Sequence, residues 1–163
     1  MRLNLIKHDA LDGISHQYEK ELIGMETTVR AFRELLAKTS EWLKEVQMEL
    51  DLSSEDQAYS VTRAVLHALR DRLSVDEAAE LGAQLPMVLR GVYYDGWDPS
   101  GKPHKERTRG AFLDHIRHEL RQTEDPLPLT RAVFKVLAKH VTPGEISDIK
   151  TSLPQEIREL WPD

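Results

Sequence analysis

Apolar residues between positions 11 and 50 fall alternately four and three apart: Leu11, Tyr18, Leu22, Met25, Val29, Phe32, Leu36, Leu43, Val46 and Leu50, with Ser15 and Thr39 in the two polar places of the series. Such spacing is the seam of a helical hairpin or a coiled coil. Gly24 lies inside it and costs roughly 1 kcal/mol against alanine in a helix. Glu26, Thr27 and Thr28 then offer a fresh start. The pattern predicts one helix over about 15–23 and a longer one over about 27–50. Residues 1–14 are mixed and uncapped, and are expected to dock loosely.

A turn over 52–56 follows, with Ser53 placed to cap a helix that reaches about Arg72 and buries Ala58, Val61, Val65, Ala68 and Leu69. Ser74 with Glu77 is a capping box for a short helix over about 75–84. Leu85-Pro86 then forces a turn, because the residue before proline is pushed out of the helical region. A last helix is predicted over about 86–94.

Residues 62–93 recur without a gap as 130–161. Thr62, Arg63, Ala64, Val65, Leu69, Glu77, Leu85, Pro86 and Arg90 meet the same residue 68 positions later, where average composition gives roughly two such matches. Thr142 with Glu145 repeats the capping box, Pro143 takes the first helical position, and Leu153-Pro154 repeats the turn before a helix over about 154–161. A helix over about 106–122, carrying Phe112, Leu113, Ile116 and Leu120, meets Trp42, Leu43, Val46 and Leu50 at an offset of 70. Asp125, Pro126 and Pro128 start the second long middle helix. No stretch alternates as a strand does. The predicted fold is all-α: a bundle of two tandem four-helix repeats with an extra N-terminal helix. The expected division is an extension over 1–24, a first repeat over 25–94, a loop over 95–105 and a second repeat over 106–163.

Composition narrows the function classes. The formal charge of −6 argues against broad nucleic-acid or anionic-membrane binding, and the run KPHKERTR at 102–109 reads as a solvated linker and helix start. The absence of cysteine excludes disulfides, thiolate metal sites and thiol nucleophiles. No apolar run approaches a membrane span or a signal core, so the expected location is cytoplasmic with no membrane partner.

In a duplicated chain, residues alike in both copies answer to folding, and those special to one copy are candidates for function. Tyr93 and its counterpart Trp161 are expected to pack in the core. Arg63/Arg131 and Arg90/Arg158 are expected at helix junctions as ion-pair or cap partners. The residues special to one copy are Gln84, opposite Ser152, and the loop residues Tyr94, Asp95, Trp97, Asp98, Lys102 and His104. Two aromatics, two carboxylates and a lysine on one turn-rich loop suit binding. The plainer account is that Trp97 seals the units, Asp95 and Asp98 serve the turns, and Gln84 bonds a helix junction. Catalytic templates are absent. His115 and His118 have a metal-ligand spacing, but no third ligand is identifiable. Asp95 with His104 lacks a nucleophile or oxyanion donor. No catalytic residue, metal or cofactor is assigned.

The run from Ala83 to Pro103, AQLP followed by YDGW and PSGKP, together with AVFKVLAKHVTPGEI and LPQEIRELWP, resembles a bacterial family catalogued as domain of unknown function 2267, over about 25–162. The resemblance implies a small helical protein and supplies no activity, substrate or site residue. The favoured reading is a non-enzymatic protein-interaction or self-association module, with a homodimer through the N-terminal helix as one form and the protein partner otherwise unknown. The alternative is a small-ligand-binding or metal-dependent enzyme using the 95–105 loop.

Overall fold

The computed structural model describes the backbone over 2–121 and 125–162, and side chains from Gln17 onward within those ranges. The described residues form eight helices and no strand: α1 (Arg2–Leu50), α2 (Glu55–Arg70), α3 (Val75–Gln84), α4 (Met87–Tyr94), α5 (Arg109–Leu120), α6 (Pro126–His140), α7 (Pro143–Ser152) and α8 (Gln155–Arg158). None is long and apolar enough to cross a membrane. The chain divides into two compact units, Met1–Ala37 and Lys38–Asp163.

The first unit consists of α1 up to residue 37. The expected break at Gly24 does not occur. Thr27 and Thr28 bond back to the carbonyls of Ile23 and Gly24, one turn earlier, at 2.9 Å each. These bonds brace the turn around the glycine, and one residue's propensity cost is small beside the continuity of a long helix. The stretch expected to dock loosely also falls in α1, from Arg2 on. Leu11 and Ser15 of the seam lie outside the described side chains. Tyr18, Leu22, Met25, Val29, Phe32 and Leu36 are all exposed, between 44% for Val29 and 62% for Tyr18.

In the second unit the same seam goes inward. Trp42, Leu43 and Val46 are buried with Val65, Leu69, Leu81, Leu89, Phe112, Ile116, Phe134, Leu137, Ile149 and Ile157 in one core. Helix α2 packs on α4, α5 and α6, α5 also packs on α6 and α8, and α3 packs on both α4 and α7. Tyr93 is fully buried, and Trp161 stacks on Phe134 with ring centres 4.1 Å apart, as expected of a core aromatic pair.

Local signals account for most helix starts. Ser74 and Glu77 complete their capping box, and Asp125 caps α6 with Pro126 in its first turn. Three expectations need correction. Ser54, not Ser53, accepts the Gln57 N–H at the start of α2, while Ser53 bonds the Gln57 side chain instead. Thr142 forms no side-chain cap; its hydroxyl and N–H are both taken by Gln84, at 3.1 and 2.8 Å. The helix expected over 106–122 begins at Arg109, and its end at Arg121 is left-handed (φ 52°). Residue 122 lies outside the described residues.

Contacts recur at the offsets read in the sequence. Arg90 donates to the carbonyls of Ala83 and Leu85 at 2.9 and 3.2 Å. Arg158, 68 positions on, donates to Thr151 and Leu153 at 3.4 and 3.1 Å. Both arginines close the end of the short helix before Leu-Pro. Across α2 and α5, Arg72 lies over the Phe112 ring and His67 meets Glu119. Across residues 38–50 and α6, His140 stacks on Trp42 and Lys135 meets Glu49. Each residue of the second set is the counterpart of one in the first, at 68 on the middle helices and 70 on the leading ones. Residues 38–50 thus touch α6, and α5 touches α2.

Candidate functional site

The 95–105 loop is held against the C-terminal end of α2 by buried charge. Arg70 donates to the carbonyls of Tyr93 and Asp95 and pairs with Asp71 at 3.2 Å. Asp71 in turn receives Lys102 Nζ at 3.5 Å, and its carbonyl takes the His104 N–H at 2.8 Å. Gly96 and Gly101 take the left-handed conformation the turns require, with φ of 64° and 70°. The loop is thus anchored at both ends by side chains of α2 and the residue after it.

The structure disperses the residues singled out in the sequence. Tyr94 and Trp97 pack together with ring centres 5.3 Å apart, both half-buried against the core. The hydroxyls of Tyr93 and Tyr94 share one acceptor, the Ala78 carbonyl, at 3.0 and 3.2 Å. Asp95 is exposed and lies 3.6 Å from Arg63. Asp98 accepts the N–H and hydroxyl of Ser100 at 2.9 and 2.8 Å, and those bonds hold its carboxyl below the usual range. Lys102 and His104 point back to Asp71, with Lys102 Nζ 2.7 Å from His104 Nε2. Gln84 stands apart from all of these, on Thr142 at the start of α7. Among the described residues, no three His, Asp or Glu side chains are grouped to hold a metal.

Gly82 makes room for the aromatic pair. A Cβ there would stand 2.2 Å from the Tyr94 hydroxyl oxygen and 2.6 Å from the ring carbon bearing it. Gly82→Ala is expected to swing the phenol off the Ala78 carbonyl and to loosen Tyr94 against Trp97. The helix gains about 1 kcal/mol from alanine, and the displaced packing costs about 1–3 kcal/mol. The expected net result is a destabilisation of about 1 kcal/mol, read by chemical denaturation, with a red shift of tryptophan emission.

Sequence reasoning missed a second cluster, where α2 faces α5. Glu119 accepts Arg63 at 2.7 Å and His67 Nδ1 at 2.9 Å, and His115 Nε2 lies 3.8 Å away. His67 is buried, and its other ring nitrogen meets the Val92 carbonyl at 2.7 Å. Burial alone would push the Glu119 carboxyl up, but the His67 hydrogen bond and the charges of His67, Arg63 and His115 outweigh it and hold the carboxyl below its ordinary range. The sequence signal for this cluster was the difference at His67, whose counterpart is Lys135; Glu119 meets Glu49 and is alike in both copies. Beside it, Arg72, His104, Lys105, Arg107, His115 and His118 line an open cleft of about 750 Å³. Tyr94, Asp95, Trp97 and Gln84 do not line it.

No curated protein matches the chain. The model of the family described as uncharacterized conserved protein (DUF2267) matches residues 39–160, which takes in the helices of the second compact unit and leaves the exposed seam of α1 outside. The chain belongs to that family.

Proposed function

We propose that this protein is a self-association module, and that a second copy of the chain docks along the exposed seam of α1. One observation carries the reading: six apolar side chains, Tyr18, Leu22, Met25, Val29, Phe32 and Leu36, keep coiled-coil spacing while standing largely in water. With Leu22, Val29 and Leu36 at the a positions and Tyr18, Met25 and Phe32 at d, the flanking e and g positions carry Glu26 and Arg33, and Glu21 and Thr28. A parallel pair sets Glu21 against Glu26 of the second copy. An antiparallel pair sets Glu26 against Arg33 twice and packs Val29 on Phe32, so the antiparallel form is favoured. The rest of the chain is the scaffold: two copies of a four-helix unit, whose leading helices are residues 38–50 and α5.

The test is the mass of the intact chain across a dilution series, with a label distance for orientation. A dimer has twice the chain mass of 18.7 kDa. The chain has no cysteine, so Lys20→Cys carries a single spin label. The antiparallel pairing separates the two labels by about 30 Å along the axis, from a rise of about 1.5 Å per residue, whereas a parallel pairing sets them side by side. A monomer at all concentrations refutes the proposal.

A further inference from the structure

One contact on α5, made by Arg72 just past the end of α2, lacks the directly bonded carboxylate that its counterpart has. His140 stacks on Trp42 and meets Glu45 at 2.9 Å. Its counterpart 68 residues earlier, Arg72, lies over Phe112, but the place of Glu45 is taken 70 residues on by His115. Arg72 is only 3% exposed, and its bonds among the described residues go to neutral groups: the carbonyls of Ala68 and Ala111, at 3.0 Å each, and His115 Nδ1 at 3.2 Å. Its Nε finds no acceptor among the described residues. Arg70, equally buried, has Asp71. Asp71 and Glu106 act on Arg72 only through space, and burial outweighs them and holds the guanidinium below its ordinary range. A buried cation without a directly bonded anion is costly.

Arg72 lines the cleft already described, and a second guanidinium does the same. Arg107 donates to the Ser152 carbonyl, while its Nε is buried without an acceptor among the described residues. The nearby carboxylates are engaged elsewhere: Asp71 by Arg70 and Lys102, Glu119 by Arg63 and His67, Asp114 by Arg117. Glu106 adds a negative charge to the lining and acts on Arg72 through space, without a direct ion pair among the described residues. The result is a positive concavity on a chain whose formal charge is −6.

We propose that this cleft binds a small phosphate-bearing anion, with Arg72 and Arg107 supplying the fixed charge and Lys105 and His118 closing on it from the rim. Guanidinium groups suit phosphate oxygens in both geometry and charge. The volume of about 750 Å³ exceeds what inorganic phosphate needs and falls in the range of small-molecule sites. Its lining includes no Phe, Tyr or Trp ring on which a nucleobase would stack. A phosphorylated polar metabolite therefore fits better than a nucleotide. His115 faces Asp71 and Arg72, the two residues after α2, His104 from the loop, and Glu119 on its own helix. Burial first, and then the Arg72 charge, holds its imidazole below the ordinary range. A bound anion acts in the opposite direction and raises it.

The probe is inorganic pyrophosphate, titrated into the full chain at an ionic strength kept constant with sodium chloride, with heat and imidazole NMR signals as readouts. Saturable binding is expected, with an upward move in the His115 titration midpoint. Glucose 6-phosphate is expected to compete, and glucose is not. His115→Glu restores in the chain the carboxylate that the counterpart contact has, and is expected to abolish binding while leaving the protein folded. Lys105→Ala, on an exposed side chain, is expected to weaken binding by roughly fivefold through loss of one charge at the rim. Absence of saturation above the chloride control overturns the proposal, as does undiminished binding by folded His115→Glu.

Discussion

Replacing Leu22, Val29 and Leu36 together by glutamine is expected to convert the proposed dimer into a monomer at every practical concentration. Glutamine is a good helix former, so α1 persists and circular dichroism should be nearly unchanged. Each lost burial is worth about 1.5 kcal/mol at the low end, and three positions in two copies give roughly 9 kcal/mol. A micromolar dimer is held by about 8 kcal/mol. The change therefore exceeds the whole association energy of an ordinary dimer, and sedimentation equilibrium reads it directly as a halved mass. Since none of the three side chains is in the core, thermal unfolding of the second compact unit should stay where it was at high dilution. A variant that keeps the parent's dimeric mass would show that the copies meet elsewhere.

Glu119→Gln is expected to destabilise the fold by about 3 kcal/mol at neutral pH, because it leaves Arg63 and the buried His67 without their shared anion. The pH dependence has a definite sign. The Glu119 carboxyl is held below its ordinary range in the folded chain, so its contribution is fully present above the unfolded value, about 4.3. That contribution is lost as pH falls through the lower folded value. The gap between parent and variant in urea denaturation should thus be full at about pH 7 and narrow steadily below about pH 4. Glu45 carries the same sign: the Lys139 hydrogen bond lowers its carboxyl most, and the His140 bond and charge add to this against burial. Acid should consequently loosen both sides of the second unit together. A gap that stays constant down to about pH 3 would remove the ion pairs from the account.

How much of this was legible depends on how local each cause is. The capping box at Ser74 and Glu77 and the Leu-Pro turns are decided within four residues, and they stand where periodicity and turn chemistry placed them. The helical class followed from spacing alone. Gly24 misled because a single weak propensity was weighed without the threonine hydroxyls that bond back across it. Thr142 misled because its partner, Gln84, lies 58 residues away in the chain, and no local rule reaches that far. The same distance hid the basic cleft. The run at 102–109 reads as solvated linker until Arg72 and α5 are brought alongside it. For the loop residues, sequence supplied the address and the fold supplied the neighbours: Tyr94 and Trp97 turned to each other, Lys102 turned to Asp71, and Gln84 went elsewhere.

Contacts of α5 with α2 and of residues 38–50 with α6 both bridge the 95–105 segment. Arg72 and Trp42, from before that segment, meet Phe112 and His140 from beyond it. Severing the chain there would yield two interlocked fragments that hold each other folded, in the manner of a swapped dimer sewn into a single polypeptide. Neither fragment would own a complete interior, so damage on one side of that segment would be inherited by both.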